Sequence, residues 1–133
     1  EEIEASMRAY IETGVKVMFT ELDIKAIPTP GPGTADISRR QAGGDSRWNP
    51  YPDGLPDEVQ QKLADRYANI FRLLLKYRDS VTRVTFWGVT DQSSWLNNFP
   101  IRGRTDYPLL FGRDRQPKPA FHAVVEAGRS ADR

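Results

Sequence analysis

Two runs of the chain read as β-strands, and the first constrains the fold most. Val15-Lys16-Val17-Met18-Phe19-Thr20-Glu21-Leu22-Asp23-Ile24 is β-branched and apolar almost without interruption. A half-exposed strand alternates polar and apolar residues, whereas a continuous run marks a parallel strand covered on both faces. The second run, Val81 to Val89, carries Val84, Phe86, Trp87 and Val89. Two parallel strands do not make a sheet that buries both faces. Partner strands are therefore expected, either from a larger domain or from another polypeptide.

The rest of the pattern agrees. Residues 1–13 read as a helix, because Ile3, Met7, Tyr10 and Ile11 fall on one stripe and Gly14 supplies a C-terminal stop. Pro56 opens a second helix whose buried face is Val59, Leu63, Tyr67, Ile70, Phe71 and Leu74, ending near Tyr77. A last helix spans 118–127, with Phe121, Val124 and Val125 on one side. The order is helix, strand, loop, helix, strand, loop, helix. This is α/β, with a parallel pair joined by a crossover helix. A (β/α)8 barrel takes roughly 250 residues or more. The 133 residues here suit about its last quarter with long loops. Glu1-Glu2-Ile3 offers no Met, basic stretch or apolar stretch, so any targeting peptide is expected to be removed or to lie upstream.

Composition excludes several classes. The net charge of +1 gives no bulk field for nucleic acid or anionic lipid. No apolar run approaches the roughly 20 residues of a bilayer span. With no cysteine there are no disulfides, thiolate metal sites or cysteine nucleophile. The single histidine, His122, falls in the last helical pattern and reads as a surface or packing residue. Arg39-Arg40, Arg102 and Arg104 are interleaved with acids and read as solvated surface, with orientation of loop carboxylates as the other reading of Arg104. Gly31-Pro32-Gly33 and Gly43-Gly44 lack the strand–glycine–helix context of a phosphate loop.

The strand ends carry the chemistry. Alternation along the first run points Val17, Phe19, Glu21 and Asp23 to one side, with two carboxylates at the C-terminal end. In barrels and open α/β sheets that end binds ligands. An inward carboxylate is costly unless paired or used, so a buried ion pair and a loop cap stay open as alternatives. Trp87 and Trp95 follow the second strand, eight residues apart. Flat indole faces stack on the C–H faces of pyranose rings, and carboxylates bond the hydroxyls; core packing is the other reading of Trp87. The loop 25–55, rich in Pro and Gly, exceeds the usual connection length and reads as either functional or mobile. Trp48 and Tyr51 there either touch sugar or pack under the loop.

These residues carry a resemblance. Val15 to Ile24 resembles the seventh-strand signature of glycoside hydrolase family 10, the (β/α)8 endo-β-1,4-xylanases. Val84-Thr85-Phe86-Trp87-Gly88-Val89-Thr90-Asp91 with Ser94-Trp95-Leu96-Asn97 is similar to the eighth. Arg104-Thr105-Asp106-Tyr107-Pro108-Leu109-Leu110-Phe111 and Gln116-Pro117-Lys118-Pro119-Ala120-Phe121 resemble the closing segment. The resemblance spans about 1–127.

It implies that residues 1–133 are the C-terminal fragment of a family 10 catalytic domain, the last part of a TIM (β/α)8 barrel. It implies a retaining endo-β-1,4-xylanase acting on xylan and xylo-oligosaccharides, extracellular or periplasmic, with no cofactor and no metal. Glu21 would be the nucleophile and Asp23 part of a relay to it through a histidine. Trp87 and Trp95 would frame the sugar subsites. The partner acid/base glutamate and the relay histidine belong to upstream strands and have no match here. The chain is expected to be inactive alone and to need the remainder of the barrel. The rivals are a xylo-oligosaccharide-binding partial barrel without catalysis, and a segment that assembles with a separate N-terminal chain.

Overall fold

The computed structural model describes residues 2–28 and 46–131. Arg39-Arg40 and both glycine pairs of the long loop lie outside the described residues. The elements are α1 (Glu2–Ile11), β1 (Val17–Leu22), a 3-10 turn Ser46–Trp48, α2 (Asp57–Lys76), β2 (Val81–Phe86), 3-10 turns Asp91–Ser93 and Trp95–Asn97, and α3 (Pro119–Ala131). β1 and β2 pair in parallel, and α2 makes the crossover between them. The two strands are shorter than the apolar runs that announced them. α3 extends past the expected end at 127.

Gly14 stops α1 as expected. Its φ is +84°, and its N–H donates to the Ile11 carbonyl at 2.9 Å. Asp57 and Glu58 in the first turn of α2 and Lys76 in its last both favour the helix dipole. The apolar stripe of α2 buries Leu63, Tyr67 and Leu74, as its spacing predicted. Ile24, Leu63, Ala64, Tyr67, Leu110 and Ala120 form one core, with Leu22, Phe71, Phe86 and Phe121 packed against it. Phe86 lies between the Tyr67 and Phe71 rings, 6.0 and 6.1 Å from their centroids. The Tyr67 hydroxyl donates to the Pro108 carbonyl at 2.5 Å. The segment after β2 is thereby fastened to the crossover helix.

The pair is not regular. Phe19 sits opposite Val84 and Leu22 opposite Phe86, so β1 uses three steps where β2 uses two. This is a β-bulge at Thr20-Glu21. A complementary slip places Val17 opposite Val81 but Met18 opposite Arg83. Each bulge leaves two adjacent exposed residues, Thr20-Glu21 in β1 and Thr82-Arg83 in β2. The half-buried positions therefore switch from Val17 and Phe19 to Leu22. The expectation that Val17, Phe19, Glu21 and Asp23 share a face is corrected: the extra residue puts Val17 and Phe19 in phase with Leu22, and Glu21 on the other side.

That other side is open. Met18 and Trp87 are each 50% exposed and Val89 70%. The helices cover one face of the pair, so the expected double covering is not met among the described residues. Ile3 and Tyr10 of the α1 stripe are likewise exposed, and Met7 alone in that helix is buried.

The stretch from 87 to 118 has little regular structure and is ordered by buried polar contacts instead. Asp91, fully buried, accepts from the Leu109 N–H and from Lys118 Nζ, both at 2.8 Å. Lys118 Nζ also donates to the Tyr107 and Leu109 carbonyls at 2.8 Å, which uses all three of its protons. Burial pushes the Asp91 carboxyl up and the Lys118 ammonium down, and each partner works against the other's shift. Through these contacts the pair ties the Tyr107 and Leu109 carbonyls and the Leu109 N–H in one arrangement. Gly88 is required nearby: its φ is +144°, and a Cβ there would lie 2.9 Å from Leu109 Cδ1.

In the complete enzyme, Lys118→Met leaves Asp91 as an unpaired buried charge and is expected to cost about 3–5 kcal/mol in denaturant unfolding. Asp91→Asn combined with Lys118→Met is expected to cost less than Lys118→Met alone. A double variant that loses the sum of both single effects would contradict this account of the pair.

Candidate active site

The bulge in β1 and the end of β2 bring the four predicted residues to one end of the strand pair. Glu21 is exposed, on the face opposite Leu22. Asp23 follows the strand end and is half-buried. The Trp87 N–H donates to the Leu22 carbonyl at 3.1 Å, continuing the parallel ladder by one rung. Trp87 therefore leaves β2 one residue beyond the Leu22–Phe86 pair, at the end of β1 that carries Glu21 and Asp23. Trp87 is 50% exposed on the open face of the pair.

Trp95 arrives from further along. It begins the 3-10 turn Trp95–Asn97, which Ser94 caps by accepting the Leu96 N–H on its Oγ at 3.2 Å. Its indole N–H donates to Asp23 Oδ2 at 2.7 Å, and its ring stacks on Phe99 at 5.1 Å and 21°. The ring is still 40% exposed. One carboxylate of the pair is thus hydrogen-bonded to a flat aromatic surface, while Glu21 keeps an exposed carboxylate beside it. Such a site can stack on a sugar ring, bond its hydroxyls and offer an oxyanion to an electrophilic carbon. It contains no second carboxyl assigned to proton transfer.

His122 is exposed on α3, edge-on to Phe121 at 5.4 Å, in line with its reading as a surface residue. Among the described residues no group of three His, Cys, Asp or Glu could hold a metal ion. Trp48 and Tyr51 are half-buried at the base of the long loop, and the Tyr51 carbonyl accepts the Tyr107 hydroxyl at 2.6 Å. A cavity of about 410 Å³ opens between Pro52–Leu55 and the Gly112–Pro119 turn, but none of the four predicted residues lines it.

Arg104 corrects the sequence reading. It is 3% exposed and lies 2.9 Å from Asp106 Oδ2, so it is not solvated surface. It orients a loop carboxylate, the alternative role. The sequence reading missed the frame around it. Asn97 Nδ2 donates to the Asp91 and Gln92 carbonyls, and its Oδ1 accepts from the Asp106 N–H at 2.9 Å and from Arg113 at 2.6 Å. The available signal was Arg104-Thr105-Asp106, opposite charges two residues apart between the apolar Ile101 and Leu109-Leu110.

The model for glycosyl hydrolase family 10 matches residues 1–127. The chain is 41% identical over 127 residues to endo-1,4-beta-xylanase A of Xylanibacter ruminicola, covering 95% of this chain and 34% of that protein. It is 37% identical over 125 residues to an endo-1,4-beta-xylanase of Geobacillus stearothermophilus, covering 94% and 33%. Among solved structures, an endoxylanase of this family from a sugarcane soil metagenome superposes with a TM-score of 0.89 at 45% identity, covering 94% of this chain and 36% of that one. A mutant structure in complex with xylotriose gives a TM-score of 0.73 at 32% identity, covering 93% and 33%. The chain spans about a third of the length of these relatives, and its two strands and flanking helices are part of a TIM (β/α)8 barrel. With the family model matched over 1–127, the chain belongs to glycosyl hydrolase family 10.

Proposed function

We propose that this chain is the C-terminal part of the catalytic domain of a retaining endo-β-1,4-xylanase and supplies the nucleophile side of its active site. The observation that carries the reading is the Trp95–Asp23 hydrogen bond of 2.7 Å, which holds an indole face at the same strand end as the exposed Glu21. The relatives named as endo-1,4-beta-xylanases and the neighbour holding xylotriose support xylan and xylo-oligosaccharides as the ligand class.

In the proposed reaction Glu21 attacks the anomeric carbon of a bound xylose. The bond to the glycosidic oxygen breaks, and a carboxyl group from another part of the barrel gives that oxygen its proton. A covalent ester joins the sugar to Glu21. Water, deprotonated by the same carboxylate, then attacks the anomeric carbon and releases Glu21. The retaining outcome requires the two carboxyl groups to stand about 5–5.5 Å apart. Asp23 supports the nucleophile, and Trp87 and Trp95 stack on the sugar rings. A polymeric substrate that cannot cross a membrane favours action outside the cytoplasm.

The open face carrying Met18, Glu21 and Trp87 favours completion by the other strands of the barrel over a self-sufficient binding module. Residues 1–133 alone are expected to show no cooperative melt by circular dichroism and no compact monomer on sizing. A stable monomer with a sharp transition would contradict this.

Glu21→Gln in the complete enzyme keeps size and hydrogen bonding but removes the nucleophilic charge. Reducing-sugar release from xylan is expected to fall by more than the roughly 10²- to 10⁴-fold that one acid–base group supplies. Unchanged hydrolysis would overturn the assignment.

A further inference from the structure

The Trp95–Asp23 contact joins two loops that leave different strands, and one buried residue, Arg104, bridges those loops through its side chain on one and its backbone N–H on the other. Arg104 Nη2 donates to the Ile27 carbonyl at 2.7 Å, and Nη1 to the Pro28 carbonyl at 3.2 Å. Both carbonyls belong to the segment that carries the chain away from Asp23. The Arg104 backbone N–H donates to the Asn97 carbonyl at 2.8 Å, at the end of the turn that begins with Trp95. A single residue therefore holds the segment four positions beyond Asp23 and the turn two positions beyond Trp95.

The bridge is buried. The Arg104 side chain has no exposure and that of Asp106 has 1%, at 2.9 Å separation. Asp106 Oδ1 accepts the Tyr107 N–H at 2.8 Å, which fixes the carboxylate. Burial works against the charge on both groups, and each charge works against the other's shift. The neighbouring residues add ties of the same kind: the Thr105 N–H donates to Asn49 Oδ1 at 2.9 Å and the Tyr107 hydroxyl to the Tyr51 carbonyl. The guanidinium is the right group here, because its planar fork reaches two successive carbonyls and a carboxylate at once, which an ammonium point charge does not.

We propose that Arg104 is a positioning residue for sugar binding: by clamping Ile27 and Pro28 to the Asn97 turn it sets the approach of Trp95 to Asp23. The proposal rests on the reading of Trp95 as a sugar-stacking residue. It predicts that loosening the clamp weakens substrate binding through the indole and leaves the bond-breaking step largely intact.

The test is a double-mutant cycle in the complete enzyme with Arg104→Lys and Trp95→Phe. Xylotriose affinity is read from tryptophan fluorescence, and kcat and KM from xylan hydrolysis. Arg104→Lys keeps the charge but reaches fewer carbonyls. It is expected to weaken xylotriose binding about 3- to 10-fold, the loss of one or two net hydrogen bonds, with kcat changed less than about twofold. Trp95→Phe keeps a ring but removes the N–H. The double variant is expected to bind about as weakly as the weaker single variant, because both changes disrupt one contact.

Should Arg104→Lys fail to fold, Asp106→Asn enters the same cycle, since it loosens Arg104 while an amide oxygen remains for the Tyr107 N–H. Multiplicative effects, or unchanged affinity with a loss of kcat alone, would overturn the proposal and leave Arg104 as part of the packing. Trp95→Ala serves as the control for the underlying reading, since unchanged xylotriose affinity means that the indole does not stack on sugar, and Glu21→Gln tests the nucleophile separately. If it still hydrolyses xylan, the nucleophile assignment fails whatever the cycle gives. If it is inactive and the cycle is multiplicative, only the role of Arg104 falls.

Discussion

The extra residue in β1 at Thr20-Glu21 turns Glu21 away from the helices and onto the uncovered face of the pair. Without that bulge, Glu21 would continue the phase of Val17 and Phe19 and would meet the helix layer. A carboxylate there would have to be paired or neutralised. With the bulge, Leu22 and Ile24 face the core under α2, and the carboxylate is free for a ligand. β2 carries the complementary slip, so the two strands regain register at Leu22 and Phe86, and Trp87 follows with its N–H on the Leu22 carbonyl.

Behind the strand ends, charge and hydrogen bonding replace regular secondary structure. The stretch from 87 to 118 has two short 3-10 turns and little else. Buried backbone groups need partners, and here they find side chains. Asp91 takes the Leu109 N–H, Lys118 takes two carbonyls, Asn97 takes two carbonyls and one N–H, and Arg104 takes two carbonyls. Such a frame is costly to bury and unforgiving of partial loss. Its return is a loop held in one conformation, which a stacking surface such as Trp95 requires.

Much of this was legible from residue order. The stripe Leu63, Tyr67 and Leu74 gave α2 its buried face, and the run from Val15 to Ile24 gave a parallel strand, because period and β-branching are local signals. The resemblance over 1–127 points to the family. The facing of Glu21 was obtained by an alternation that does not hold, since a bulge depends on the partner strand and leaves no mark on one strand's pattern. Arg104 was read as solvated for a similar reason. Its partners lie at Ile27, Pro28 and Asp106, and two of these contacts span more than 70 residues. The uncovered face agrees with the fraction of the relatives' length that the chain spans.

The most direct test is to trap the covalent ester in the complete enzyme with a 2-fluoro xylobioside carrying a good leaving group, then to locate the added mass by peptide sequencing. One label per molecule is expected, on Glu21. A label on Asp23 or on any other residue, or rapid turnover through direct attack by water with inversion at the anomeric carbon, would contradict it.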